Sequence, residues 1–194
     1  MSLDRRLFVQ RALWTWAGLS AGVPDPAKAA APSKGGSLIV AQYPEPPVLT
    51  SALTTAGPTQ SISAKLFDGL LRYGPNLEPL PGLATQWQTS ADHLNLTLKL
   101  RSGVRWHDGK PFTSADVVFS LLEVWRRYHA RGRSTFANVF AVDTPDPLTA
   151  VLRLSKPAPY ILGALMSVES QVVPKHRYAG TDRICCAGDG SFRP

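Results

Sequence analysis

The clearest periodic pattern in the chain is a run of alternating leucine and polar residues at positions 94–100, LNLTLKL. In an extended chain the four leucines of this run fall on one face and the polar residues on the other. The pattern therefore predicts a β-strand with one face in the core. Ser102 and Gly103 then favour a turn, so we expect residues 104–107 to return antiparallel as a hairpin.

A helix is predicted a few residues downstream. Thr113 and Asp116 have the spacing of a capping box, in which the two residues satisfy free backbone N–H groups at a helix start. The apolar residues that follow recur at helical spacing and form one stripe: Val118, Leu121, Leu122, Trp125 and Tyr128. Gly132 is a natural stop for this helix.

Weaker patterns predict the remaining elements. Residues 37–42, SLIVAQ, form a short apolar run typical of a buried strand, and the prolines after it predict an extended loop. Residues 61–71 and 158–168 have helical spacing, and residues 150–154 alternate like a strand. Seventeen prolines and fifteen glycines argue against a helical bundle. The predicted fold class is mixed α/β (α+β).

The first 29 residues have the layout of an export signal. Arg5 and Arg6 lie in a short basic segment, a stretch of modest hydrophobicity follows, and Ala27 with Ala29 fits an A-x-A cleavage site. The adjacent arginines are similar to the twin-arginine export motif of bacteria. An amphipathic first helix is the alternative, but polar and apolar residues are segregated along the chain, which favours a signal. We therefore expect export by the twin-arginine route.

The net charge of +7 raises the question of an acidic partner such as nucleic acid. The densest basic cluster lies at the end of the predicted helix, where the helix dipole favours positive charge, and consists of Arg126, Arg127, Arg131 and Arg133. The sequence therefore predicts no nucleic-acid partner. Cys185 and Cys186 are adjacent, which indicates neither a zinc site nor a disulfide framework.

Catalysis and metal binding also lack a supporting pattern. His107 stands beside Asp108, a pairing typical of a general base, but no motif places a serine or cysteine nucleophile. His107 and His176 do not have the paired spacing of metal ligands. We therefore expect no enzyme activity and no cofactor. An exported hydrolase stays the enzyme alternative.

Residues 100–121, LRSGVRWHDGKPFTSADVVFSL, carry the most specific resemblance in the chain. This run resembles, almost position for position, the bacterial extracellular solute-binding proteins of family 5, which serve peptide and nickel importers. Weaker agreement extends over residues 36–182. One departure is His93, which stands where the family usually has glycine.

The resemblance implies a type II periplasmic-binding-protein-like fold, in which two lobes close around a ligand. It implies that the second lobe of the fold lies beyond residue 194, so that the chain is a truncated copy. The implied segments are a signal peptide at 1–29, a linker and the start of the first lobe at 30–60, a small extra domain at 61–172, and a return to the first lobe at 173–194.

The same resemblance implies a function in transport. We expect a monomeric, periplasmic substrate-binding component that delivers peptides or related small solutes to an ABC permease in the inner membrane. Tyr43, Glu45 and Pro46, in the loop after the first predicted strand, are the expected ligand contacts. Nickel complexes, opines and sugars stay open as cargo within this family. A relic fragment without independent function is the alternative to a working binding protein.

Overall fold

The computed structural model describes residues 35–180. The predicted export-signal residues lie outside this range: Arg5, Arg6, Ala27 and Ala29. Contacts divide the chain into two units, Met1–Val40 and Ala41–Pro194. The first helix of the second unit crosses the predicted domain boundary at residue 60, and the four domain bounds stay predictions.

The described part of the first unit has no regular secondary structure. Leu38, Ile39 and Val40 are 87%, 94% and 73% exposed. The predicted buried strand at residues 37–42 is therefore wrong for this structure. An extended segment becomes a buried strand only when a neighbouring strand pairs with its backbone, and no strand within residues 35–180 pairs with this one.

The second unit alternates short helices and antiparallel strands. The strands are β1 (Leu71–Tyr73), β2 (Pro79–Pro81), β3 (Ala84–Thr89), β4 (Asn95–Leu100), β5 (Val139–Asp146) and β6 (Thr149–Leu154). The α-helices are α1 (Gly57–Leu66), α2 (Ser114–Val118), α3 (Gly132–Thr135), α4 (Ile161–Met166) and α5 (Lys175–Tyr178). A π-helical segment, Phe119–Trp125, continues α2. This mixture confirms the predicted α/β class.

The main sheet has four strands in the order β3-β4-β6-β5, and each neighbouring pair is antiparallel. Strand β4 was predicted from its leucines, and Leu96, Leu98 and Leu100 are indeed buried in the core. The predicted hairpin between β4 and residues 104–107 is wrong. Because β4 is already paired with β3 and β6 on its two edges, it has no free edge to offer a third strand.

Residues 104–111 instead form a tight turn. The N–H of Trp106 donates to the carbonyl of Lys110, and the N–H of Gly109 donates to the carbonyl of Trp106, at 2.8 Å each. The β3–β4 turn contains His93 with a φ of 56°. This left-handed conformation is one that glycine adopts more readily than histidine.

The helix after this turn begins as predicted, with the capping box of Thr113 and Asp116 in place. Its buried face differs from the predicted stripe. The largest fully buried side chains along it and in the turn that follows are Val117, Leu121, Val124, Trp125 and His129. Val118, Leu122 and Tyr128, predicted for the core, are half-buried. The π-helical segment has more residues per turn than an α-helix, so the inward face moves to different residues along the chain.

The core of the second unit combines the leucine face of β4, the inner face of β6 and the buried side chains of the α2 region. None of the helices in residues 35–180 has the length and apolar character that a membrane crossing requires.

Candidate functional site

The predicted ligand contacts lie together in a loop at residues 41–47, here called the presenting loop. Tyr43 is 93% exposed, Glu45 is exposed and Pro46 is half-buried. The loop has no helix or strand, and the peptide bond between Tyr43 and Pro44 is cis. The structure therefore brings the three predicted residues into one exposed stretch.

The base of the presenting loop is buried and held by hydrogen bonds. The hydroxyl of Thr59 on α1 donates to the carbonyl of Val48 at 2.8 Å. The side-chain oxygen of Gln171 accepts from the N–H of Ser51 at 3.2 Å and from the hydroxyl of Thr50 at 3.4 Å. Thr50, Ser51 and Gln171 are all buried. The exposed loop thus ends on a fixed base.

Gln171 also ties the loop base to α1. Its side-chain N–H donates to the hydroxyl of Ser63 at 3.2 Å, and the Ser51 and Ser63 hydroxyls are hydrogen-bonded to each other. The buried side chain of Gln171 therefore binds both the loop base and α1, each of which lies more than 100 residues earlier in the chain. Sequence analysis missed Gln171, because nothing in its local sequence indicates a buried amide.

Gln171 opens a second extended stretch, which runs to Pro174 and leads into the first residue of α5; residues 171–175 are here called the return segment. The backbone of every second residue in it is hydrogen-bonded to a side chain of the α2 region, which here means α2 together with the π-helical segment that continues it. The indole N–H of Trp125 donates to the carbonyl of Gln171, the N–H of Val173 donates to the hydroxyl of Ser120, and the N–H of Lys175 donates to Asp116 Oδ1, at 2.9 Å each. The return segment is thereby fixed along its whole length.

A polar clamp lies at the end of the return segment. His176 Nε2 is 2.6 Å from Asp108 Oδ2, and Arg177 Nε is 3.3 Å from the same oxygen. The hydrogen bond with His176 lowers the pKa of Asp108 from 3.8 to about 2. The clamp fastens the turn at residues 104–111 to α5.

The histidine beside Asp108 in sequence is not its partner in space. His107 is exposed, and neither His107 nor His176 hydrogen-bonds a serine or threonine hydroxyl within residues 35–180. The same residues contain no group of three or more His, Cys, Asp or Glu side chains placed to hold a metal ion. Asp108 is instead paired with His176 and Arg177 on α5.

Residues in the described part of the second unit line a larger and a smaller cavity. The larger, about 290 Å³, lies under the turn at residues 104–111 and is lined by Phe67, Asp68, Arg105, Trp106, His107 and Phe112, among others. The smaller, about 190 Å³, is lined by residues between Trp125, at the end of the π-helical segment, and Ser170, after α4. Tyr43, Glu45 and Pro46 line neither cavity. The presenting loop thus offers a surface rather than a closed pocket.

Residues 78–185 match the family model described as bacterial extracellular solute-binding proteins, family 5 Middle. A probable peptide ABC transporter periplasmic-binding protein of Sinorhizobium fredii is 30% identical over 153 residues, which cover 75% of this chain and 28% of that protein. The periplasmic murein peptide-binding protein MppA of Escherichia coli is 33% identical over 136 residues, 61% of this chain and 25% of that protein.

Among solved structures, NikZ from Campylobacter jejuni in complex with Ni(L-His) is similar, with a TM-score of 0.58 and 29% identity. The match covers 68% of this chain and 25% of NikZ. The chain thus spans between 25% and 28% of the length of these three relatives.

Proposed function

The chain belongs to the bacterial extracellular solute-binding proteins of family 5, and from this premise we propose that it contributes to solute recognition in the periplasm for a peptide importer with an ABC permease. The observation that carries the proposal is the presenting loop, an exposed stretch on a buried base in a chain of this family. Recognition residues commonly lie on loops that a rigid scaffold positions.

The chemistry of the presenting loop favours a ligand that is rich in hydrogen-bond donors. Pro44, Pro46 and Pro47 have no backbone N–H, so the loop presents mainly carbonyl oxygens. Glu45 adds a carboxylate, and Tyr43 adds an exposed aromatic ring. A peptide supplies backbone N–H groups and an ammonium group to these acceptors, and an apolar side chain to the ring.

We propose a peptide rather than the other cargoes for two reasons. The first is the chemistry of the presenting loop, and the second is that two of the three relatives are named for peptides. The names of the S. fredii and E. coli relatives refer to peptides, whereas the NikZ structure contains a nickel–histidine complex. A metal chelate, an opine or a sugar is the competing cargo class.

The direct test is titration of the purified 194-residue chain with a mixed pool of di- to tetrapeptides, followed by calorimetry and by amide NMR shifts. We expect shifts at the loop residues that have a backbone N–H, which are Ala41, Gln42, Tyr43 and Glu45, and a dissociation constant on the order of millimolar or weaker. The reason is that each hydrogen bond on a solvated surface contributes only about 0.5–1.5 kcal/mol, while association costs an estimated 4–15 kcal/mol.

The matched variants are Glu45→Gln and Glu123→Gln, which remove one exposed carboxylate on the loop or on the helix. Only Glu45→Gln should reduce the shifts. Shifts that leave the presenting loop unaffected would exclude it as the contact surface. A dissociation constant in the micromolar range would show that these residues bind peptide without a second lobe.

Export by the twin-arginine route is a separate proposal, supported by Arg5, Arg6 and the Ala27–x–Ala29 pattern. Substituting both Arg5 and Arg6 by lysine should block export, because the receptor recognises guanidinium groups rather than charge alone. Arg11→Lys is the matched control and should be exported normally. Intact mass of periplasmic material should show cleavage after Ala29, and a retained Met1 would contradict the proposed signal.

A further inference from the structure

The smaller cavity contains a buried histidine whose ring has an unused donor. His129 is 2% exposed, and its Nε2 is the one buried side-chain N or O within residues 35–180 that has no hydrogen-bond partner. The Thr54 carbonyl faces the ring closely enough to favour its proton, but without hydrogen-bonding geometry. A buried donor without a partner is costly, so this atom calls for an explanation.

The other ring nitrogen determines which atom carries the proton. The N–H of Gly132 donates to His129 Nδ1 at 3.0 Å, so Nδ1 is an acceptor and Nε2 carries the hydrogen in the neutral ring. Burial lowers the pKa of His129, which favours this neutral form. Nε2 therefore offers a hydrogen-bond donor to the cavity, and no lone pair for a metal ion.

An acceptor stands across the cavity from this donor. Glu169 Oε1 accepts from Arg131 Nη1 at 2.8 Å and from Gln60 Nε2 at 3.1 Å. Glu169 Oε2 lies 3.8 Å from His129 Nε2, which is too far for a direct hydrogen bond. One hydroxyl oxygen about 2.8 Å from each atom would span this gap, accepting from Nε2–H and donating to Oε2.

The rest of the cavity wall is mixed: an aromatic and apolar side faces polar residues, namely Arg131, Thr135, Ser167 and Ser170. Trp125 and Phe136 are buried, with ring centroids 5.2 Å apart, and Ala164 lies on the wall as well. The volume of about 190 Å³ far exceeds the roughly 30 Å³ share of one water molecule. It is comparable to the roughly 150 Å³ of an apolar cavity that holds benzene.

The backbone around this cavity is also unusual. Trp125 ends the π-helical segment, and His129 follows one turn later on the same buried face. Insertions of π-helix recur at functional sites, where they redirect side chains. Here Trp125 at the end of the segment and His129 after it line the same cavity.

We propose that this cavity, the His129 pocket, binds a small aromatic alcohol, whose ring lies against Trp125 and Phe136 and whose hydroxyl bridges His129 Nε2 and Glu169 Oε2. The site is separate from the presenting loop, so its ligand is distinct from a transported peptide. The proposal stands or falls independently of the transport function.

The test uses phenol as the probe and benzene as its matched control without a hydroxyl. Both are titrated into the full chain, and NMR follows the indole N–H of Trp125 and the N–H of Gly132. We expect phenol to bind about tenfold more tightly than benzene, because only phenol completes the two hydrogen bonds. Equal affinities, or no binding of either probe, would overturn the proposal on the unmodified chain.

Two variants locate the ligand. Ala164→Leu fills the cavity and should abolish binding of both probes, whereas Ala137→Leu, at an exposed position, should leave both affinities unchanged. His129→Phe removes the donor and should abolish the preference for phenol. Phenol binding that persists in Ala164→Leu would place the ligand elsewhere and overturn the assignment.

Discussion

The presenting loop and the return segment are both extended stretches with little regular secondary structure, yet they differ in every other respect. The presenting loop has a tyrosine that is 93% exposed and a free carboxylate. In the return segment, residues 171–174 are buried, and alternate residues are hydrogen-bonded to side chains of the α2 region.

The comparison shows that fixation of an irregular segment depends on its side-chain partners. Asp116, Ser120 and Trp125 lie on one helix face at a spacing that meets every second residue of an extended chain. The presenting loop has such bonds only at its base, through Gln171 and Thr59. A segment held at one end and exposed beyond it can meet a ligand, whereas the return segment is committed to the fold.

The largest loss in the free energy of unfolding is expected from a substitution in the core. Leu98 on β4 is fully buried, and truncating it to alanine should reduce the free energy of unfolding by about 2–5 kcal/mol. Lys99, the next residue, is exposed and its ammonium group donates to the Thr149 hydroxyl at 2.8 Å. Lys99→Ala should change stability by less than about 0.5 kcal/mol. Equal effects in urea melts would mean that the register of β4 is misassigned.

The next largest effect should come from the amide that joins the two segments. Gln171→Leu leaves the Ser51 N–H and the Thr50 hydroxyl buried without their acceptor, which should reduce stability by about 1–3 kcal/mol. It should also loosen the base of the presenting loop, so that proteolysis near residues 41–52 becomes faster.

The matched control is Gln42→Leu, the same substitution in the presenting loop. The Gln42 side chain makes only an exposed bond to the carbonyl of Tyr43 at 3.2 Å, so its loss should cost less than about 0.5 kcal/mol. If both variants unfold at the same urea concentration, the contrast between fixed and free segments fails.

A smaller, pH-dependent effect should come from the clamp at the end of the return segment. The folded-state pKa of Asp108, about 2, lies below its ordinary value of 3.8. Its contribution to stability is therefore present above pH 3.8 and is lost as the pH falls toward 2. Urea melts between pH 2 and 5 should show a weaker pH dependence for Asp108→Asn than for the unmodified chain.

His176→Gln removes the main cause of the lowered Asp108 pKa and should flatten the same part of the pH profile. Because the two side chains act on each other, the double variant should lose no more than the larger single loss. Additive losses would mean that Asp108 and His176 act separately.

Local patterns predicted the elements whose signals are local. The alternation of residues 94–100 predicted β4, and the spacing of Thr113 and Asp116 predicted the start of α2. The strand at residues 150–154 is also confirmed, as β6. In each case a few adjacent side chains determine the conformation, and distant partners only add to it.

The remaining features depend on distant partners and left little local signal. Strand β3 has only two apolar residues, Ala84 and Trp87, and exists because β4 pairs with it. The apolar run at residues 37–42 has the composition of a strand, but no strand in the described part of the chain pairs with it. His129 was missed because α-helical spacing does not anticipate a π-helical segment, and Gln171 because its partners lie far away in sequence.

The candidate site was predicted by a different route. Tyr43, Glu45 and Pro46 came from a family resemblance and the position of the loop, since three scattered residue types carry no pattern of their own. Their exposure agrees with a contact surface, and their role stays a prediction.

The smallest expected effect on stability comes from a substitution in the exposed presenting loop. Tyr43→Ala should change the free energy of unfolding by less than about 0.5 kcal/mol, because the side chain is 93% exposed and has little packing to lose. Tyr73→Ala is the matched variant, since Tyr73 is 50% exposed and its hydroxyl donates to the Gly163 carbonyl at 3.1 Å. Its loss should cost about 1 kcal/mol.

Peptide binding should reverse this order, which is what separates a ligand contact from a surface residue of no consequence. Tyr43→Ala should weaken the peptide-induced shifts in the presenting loop, whereas Tyr73→Ala, on β1, should leave them unchanged once the protein is folded. A presenting loop that met its ligand through backbone carbonyls alone would show no difference between the variants. In that case the ring of Tyr43 would have no part in recognition, and Glu45 with the proline-flanked carbonyls would have to account for it.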